Sequence, residues 1–305
     1  MNFYLGILSY AGIYGILAMS FTLVHGTAGM FTIAHAAFFG LGAYASAMLD
    51  KLLPPELMLL GMLFGIAFAG ACAAAVAAVA LRERGQYLML VTFSVQIIFS
   101  VALLNLPFTG GDNGIGEIVA LQLGPLRIKG QIAATVAVWV LTALVYLVLR
   151  YVERSNLGRT LRAIREDEFA VEALGVNVFA AKLFAFVVSA GLAGFAGALF
   201  AHYSSYINPA SFSFEAAILV VTISVLGGQY SLVGALVGAV IVTWLPQLIG
   251  FIGIQSEKVA SVTQIIYAAI IIAVLFLRPS GIVAETIRRF QRPAGAPRGS
   301  AGRAP

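Results

Sequence analysis

Apolar runs long enough to cross a bilayer recur along almost the whole chain, and few architectures survive that constraint. A helix spanning a hydrocarbon core ~30 Å thick needs about 20 mostly apolar residues. Runs of this kind occupy residues 3–24, 30–49, 57–81, 86–106, 131–149, 182–203, 214–226, 231–249 and 262–277. In hydrocarbon each backbone N–H and C=O has to be satisfied internally, so such runs fold as helices. The reading is an all-α, polytopic integral membrane bundle of about nine spanning segments (eight to ten). The seventh run is short enough to be re-entrant or packed inside the bundle. The opening residues show no basic region and no small-residue cleavage site before His25, and read as an uncleaved first span.

At 61% hydrophobic and 10% charged, the chain lies far from soluble domains, which carry about 25% charged residues. Residues 1–290 read as one membrane domain. Residues 291–305, rich in Pro, Gly and Ala, read as a disordered basic tail. With Arg288 and Arg289 this tail is a candidate contact for anionic lipid headgroups, set against a simply solvated tail. The single cysteine, Cys72, excludes an internal disulfide, and no His/Cys cluster suggests a metal.

Residues 150–182 form the only long, densely charged stretch between apolar runs. They hold five of the 13 acidic residues and six of the 18 bases. Such a stretch has to lie in water, between two spans. With this connector in the cytoplasm and all nine segments crossing, Arg82, Arg84, the six connector bases and the six arginines after residue 277 are inside. Lys51, Arg127, Lys129 and Lys258 remain outside. That bias puts the N-terminus outside and the C-terminus inside, and it accounts for the net charge of +5 without nucleic acid.

Within the connector, Ser155 or Asn156 can cap a helix, and Gly175 can stop one. Leu157, Leu161, Ile164, Val171 and Leu174 follow helical spacing. One amphipathic helix fits, or two broken near residues 166–168, with Arg162, Arg165, Glu166 and Glu168 on the other faces. Its apolar stripe suits either a bed of lipid headgroups or a groove in a partner protein.

The chemistry missing from the sequence narrows the function. There is no GxxxxGK[ST] loop, HExxH, CxxC or dinucleotide fingerprint. No nucleophile–base set supports an intramembrane enzyme. Ionisable groups inside spans usually mark ion pathways, yet every acid lies at or beyond a run boundary, Glu215 being nearest. Only His35 sits well inside a run, either as a gate or, more simply, hydrogen-bonded to a neighbouring helix. Gly191, Gly194 and Gly197, and the pair Gly234 and Gly238, offer close helix packing. Gly227 and Gly228 fit a turn. As candidates for a solute path with exposed backbone, His35, Gly191, Gly194, Gly227 and Gly228 are named beside these packing roles. The chain thus has the form of a pathway with no motor of its own.

The block SNLGRTLRAIREDEFAVEALGVNVFAAKLFAFVVSAGLAGFAGALFAHYSSYINP resembles the cytoplasmic loop and following span of LivM-type permeases. These are membrane subunits of ATP-binding cassette importers for branched-chain amino acids. The resemblance continues through FTIAHAAFFGLGAYASAML, LRERGQYLMLVTFSVQIIFS, TGGDNGIG and VLGGQYSLVGALVGAV, in order along the chain. Glu172-Ala173-Leu174-Gly175 is similar to the Glu-Ala-Ala…Gly loop of importer permeases, with Leu174 in place of the second alanine.

The resemblance implies that residues 162–175 couple to an ATPase, with Arg162, Arg165, Glu166, Glu172, Ala173 and Gly175 as contact residues. It also implies a multi-pass protein of the bacterial inner membrane that binds no cofactor itself. Its partners would be two ATP-binding cassette ATPases, a LivH-type second permease, a periplasmic or extracellular solute-binding protein and the surrounding lipid. An amino acid would be the cargo, with selectivity residing largely in the binding protein. The competing reading is a stand-alone secondary carrier or channel for a small polar solute.

Overall fold

The computed structural model describes residues 2–52, 54–82, 86–123, 126–127, 130–251, 256–277 and 281–283. The basic tail lies outside these residues. A helix stands at each of the nine apolar runs. They are α1 (Asn2–Thr22), α2 (His35–Asp50), α3 (Met58–Ala80), α4 (Gln86–Asn105) and α5 (Gln131–Arg154) in the first half. The connector carries α6 (Asn156–Glu166) and α7 (Glu168–Ala173), followed by α8 (Val178–Ser204), α9 (Phe214–Gly227), α10 (Leu232–Phe251) and α11 (Ser256–Leu277). The only paired strands among the described residues are two-residue β1 (Gln122–Leu123) and β2 (Leu126–Arg127), antiparallel, with Gln122 opposite Arg127.

Among the described residues, six helices, not nine, are both long and apolar enough to cross a membrane. The runs at 30–49 and 214–226 yield α2 and α9, of 16 and 14 residues, and the apolar part of α11 is Val262–Val274. The helices α3, α4 and α5 point large apolar side chains outward, Leu63, Ile98 and Val140 each being more than half exposed. Such a surface suits lipid, which hydrates nothing and asks only for satisfied backbones.

The two short helices start after non-helical chain, whose free amides need partners. Side chains of α4 supply them. Thr92 Oγ1 accepts from the Ile33 amide at 3.2 Å, and Gln96 Oε1 accepts from the Ala37 amide at 2.7 Å. Gln96 Nε2 also donates to the Phe212 carbonyl at 2.9 Å, just before α9. One fully buried glutamine therefore serves the starts of both short helices.

The helices α2, α3 and α8 pack into one unit, while α1 joins it to α5, α9 and α10. Three glycines make the first contact possible. A Cβ on Gly42 would overlap the Gly194 carbonyl, one on Gly65 would lie 2.7 Å from the Gly42 oxygen, and one on Gly194 2.6 Å from Ala69 Cβ. Backbone meets backbone there, as association between helices in lipid favours.

Contacts between helix ends define two faces of the bundle. The end of α1, the connector, the α9–α10 turn and residues 282–283 share one face. It is closed by bonds such as Ile282 N–H to Leu226 O at 3.0 Å and Val283 N–H to Gly227 O at 2.9 Å. At the opposite face, residues 115–121 lie along the end of α8, where Ile115 bridges to Ile207 and the Leu121 amide donates to the His202 carbonyl.

Candidate coupling site

The connector is two helices. Ser155, in extended conformation, accepts the Gly158 amide and starts α6; Asp167, also extended at φ −155°, accepts the Ala170 amide and starts α7. Each short helix thus has its own side-chain cap, which satisfies an otherwise orphan donor. Gly175, at φ +79°, ends the second as expected, its amide donating to the Glu172 carbonyl at 2.9 Å.

The apolar stripe turns inward. Leu161, Ile164 and Val171 are buried against the bundle and Leu157 is half-buried, so this face anchors the connector to its own chain and is closed to a partner. Leu174 parts company with the others at 81% exposure, and Phe169 is 70% exposed. Along with half-exposed Val176 they form an apolar knob on α7 and its exit, beside the exposed Glu166, Glu172, Ala173 and Gly175.

The two arginines named as partner contacts also turn inward. Arg162 Nη1 donates to the Glu153 carbonyl at 2.9 Å. Arg165 Nη1 donates to the Gly26 carbonyl at 2.5 Å, its Nη2 pairs with Glu166 at 2.9 Å, and its guanidinium lies 4.8 Å from the Tyr230 ring centroid. Gly26 belongs to the π-helical turn Leu23–Thr27 that closes α1, a rare form frequent at functional sites. Next to it, Gly29 sits at φ +71°, where a Cβ would meet the Arg165 stem at 2.6 Å. From the same turn His25 Nε2 contacts Gln229 Oε1 at 3.1 Å. One arginine therefore ties the connector to the end of α1 and to the α9–α10 turn.

A second tie joins the start of α7 to α8. Lys182 on α8, nine-tenths buried, donates to Glu168 at 2.6 Å. Between these two ties lies a cleft of about 340 Å³, walled by Gly29, Met30, Phe31, Asp167 and Phe169.

The path candidates have packing partners. His35 is buried, with Nδ1 3.0 Å from Thr32 Oγ1 and Nε2 2.9 Å from Ser189 Oγ, which itself donates to the Ser20 carbonyl. Ser189 belongs to the neighbouring helix α8. Gly194 is at the three-helix crossing. Gly227 meets Gly234 and Gly238 of α10 through its backbone, and Gly228 abuts Gly281. Gly191 lines an apolar groove of about 460 Å³ between α3 and α8.

One buried polar cluster was not singled out from the sequence. His202 Nδ1 lies 2.8 Å from the Val119 carbonyl, which only accepts, so that nitrogen carries the proton. Its Nε2 lies 2.9 Å from Ser46 Oγ and 3.2 Å from Asp50 Oδ2. The three side chains are buried and come from α2 and α8, over 150 residues apart. A histidine and an acid each closing an apolar run were the only signal.

Comparison with known proteins agrees with this architecture. Residues 3–275 match the family described as branched-chain amino acid transport system / permease component. The chain is similar to the high-affinity branched-chain amino acid transport permease LivM of Escherichia coli, at 30% identity over 94% of this chain and 71% of that one. It is similar to LivH of the same organism at 28%, over 88% and 91% respectively. The ribose import permease RbsC of Haemophilus influenzae is 28% identical over 90% and 83%. No solved structure matches.

Proposed function

This chain belongs to the branched-chain amino acid transport permease family, and from that premise we propose that it is the membrane subunit of an ATP-driven importer whose motor grips α7. The observation that carries the coupling role is the division of labour on the connector. Its apolar stripe is spent on the bundle, yet Phe169 and Leu174 stand in water with the acidic Glu166 and Glu172 beside them. An amphipathic helix presenting a few anchors is a standard way to fill a partner's groove. ATP hydrolysis belongs in this reading to two partner ATPases, since the chain has no phosphate-binding loop.

The connector face is cytoplasmic, following the basic bias. The alternation of helix ends between the two faces supports nine crossings, with α2 and α9 each completed by the buried chain that precedes it. The opposite face, with residues 115–121, then receives the solute-binding protein, and a LivH-type subunit pairs through lipid-facing helices in the bacterial inner membrane. The cargo is a branched-chain or related amino acid, as the names of LivM and LivH suggest; RbsC, named for ribose, marks how far cargo varies on similar chains. In this reading the path glycines other than Gly191, together with His35, hold the helices that frame the route.

The test is reconstitution. Co-expressed with the companion subunits, the tagged chain should retain a nucleotide-binding subunit through purification, and loaded binding protein should stimulate ATP hydrolysis and uptake. Uptake by this chain alone in liposomes, driven by a sodium or proton gradient, would instead establish a secondary carrier.

A further inference from the structure

Ser46 and Asp50 lie one turn apart on α2, and both meet the His202 ring of α8. The Asp50 side chain is 4% exposed and the ring not at all. Helix α3 closes one side of the cluster. A Cβ on Gly61 would run into Asp50 Oδ1, with Ser46 Oγ 3.3 Å away. Residues 115–121 close onto the same histidine, through the Val119 carbonyl at Nδ1 and the Leu121 amide at the His202 carbonyl.

These contacts fix how many protons the cluster holds. Nδ1 carries one, because a carbonyl only accepts. Nε2 lies 3.2 Å from Asp50 Oδ2, yet neither Asp50 oxygen has a hydrogen-bond partner. A charged carboxylate beside an uncharged imidazole would therefore stand buried with neither donor nor counter-charge, which is strongly unfavourable. Two arrangements avoid this. In one, a neutral acid sits beside a neutral imidazole whose Nε2 accepts from Ser46 Oγ. In the other, a carboxylate sits beside an imidazolium whose Nε2 donates to Ser46 Oγ. Each contains one proton more than the unfavourable state.

Among the described residues the surroundings supply no substitute for that proton. Helices α1, α3 and α4, which pack on α2, carry no charged side chain. In the turns around the cluster Lys51, Glu56, Asp112 and Glu117 are exposed, as is Glu215 at the start of α9. The Tyr203 hydroxyl is bonded to Gln131, and the Tyr44 ring lies against Phe212.

We infer that Asp50 and His202 form a proton-binding site, and that the bound proton keeps residues 115–121 seated on α8. Opening the segment lets water reach both groups, which then titrate as ordinary side chains, at about pH 4 for the acid and about 6.5 for the imidazole. Above about pH 6.5 the open pair holds no extra proton while the seated pair holds one, so seating weakens as pH rises. Between about pH 4 and 6.5 both hold one, and seating is level. Below about pH 4 the open pair takes up a second, and seating weakens again. The site goes beyond the importer reading and does not depend on it. On that reading the segment belongs to the face that receives the solute-binding protein, so the proton sets how that face is presented.

The test is amide exchange at Ile118 and Leu121 of the full-length chain in lipid nanodiscs, from about pH 5 to 9, with the intrinsic exchange rate at each pH divided out. In the wild type, opening should be level to about pH 6.5 and then rise by up to about tenfold per pH unit, the slope of one proton. Asp50→Asn places a neutral group there that needs no proton, so its opening should stay level above about pH 6.5. His202→Gln leaves the acid as the only titrating group, so its rise should already be under way at about pH 5. A wild-type profile with no rise overturns the site, and so does an Asp50→Asn profile that keeps the wild-type rise. If Asp50→Asn does not fold, His202→Gln decides, a break still at about pH 6.5 overturning the assignment. Loss of transport or of ATPase retention in the wild type would bear on the importer reading and leave this site standing.

Discussion

Arg165 donates to the carbonyl of Gly26 across 139 residues of sequence, at 2.5 Å. That carbonyl ends a π-helical turn and has no helical donor of its own to spare, so a charged donor is a strong replacement. Because the guanidinium also lies over Tyr230, a displacement of α6 acts at once on the end of α1 and on the α9–α10 turn that packs beside it.

Arg165→Ala should therefore leave the complex assembled and hydrolysing ATP while uptake per ATP falls roughly 5–30-fold, equivalent to about 1–2 kcal/mol of coupling. Arg165→Lys should recover part of it, since an ammonium reaches one carbonyl but lacks the planar fork that stacks on Tyr230. The ratio of transport to ATPase in proteoliposomes checks both. Equal losses of the two activities would mean that Arg165 serves only folding.

The exposed knob and the buried stripe of the connector should respond oppositely. Phe169→Ser and Leu174→Ser should weaken retention of the ATPase subunit while thermal stability stays within about 0.5 kcal/mol, as for exposed positions. Leu161→Ala should cost about 2–5 kcal/mol by leaving a cavity, with the melting temperature as the readout.

The Tyr267 hydroxyl of α11 donates to the Val242 carbonyl of α10 at 3.0 Å, so Tyr267→Phe leaves that buried carbonyl without this donor. A loss of about 1–3 kcal/mol follows from an unsatisfied acceptor, measurable as a lower melting temperature of the purified subunit in detergent.

His202→Ala removes the Nδ1 bond to Val119 that holds the 115–121 segment on α8. Amide exchange at Ile115, Ile118 and Leu121 should rise in this variant, because their bonds to Ile207, Ser205 and His202 carbonyls depend on that segment staying seated. Unchanged exchange would place the anchoring elsewhere.

Helix positions were legible in the sequence because hydrocarbon leaves the backbone one solution, and each apolar run became a helix. The caps at Ser155 and Gly175 and the break near residue 167 were also local, and local signals survive folding. Which face of the connector turns inward was not local. Helical spacing puts Leu161, Ile164, Val171 and Leu174 on one stripe, yet α7 ends at Ala173, so the first three are buried while Leu174, at the C-cap, is exposed. Arg162 and Arg165 looked like surface charges because the carbonyls they bond to, at Glu153 and Gly26, carry no side-chain signature. Long-range pairs such as Asp50 with His202, or Gln96 with Ala37 and Phe212, need the bundle itself before they can be seen.

The meeting of Gly42, Gly65 and Gly194 sets a limit on how this molecule can change shape. With no side chains between the backbones, nothing there can switch rotamer to accommodate sliding or rotation. The three helices behave as a keel, and whatever motion carries a solute has to occur between that keel and the group of α1 with α9, α10 and α11. Spin labels paired across α2 and α8 should hold one distance through the ATP cycle, while labels pairing α2 with α10 should not.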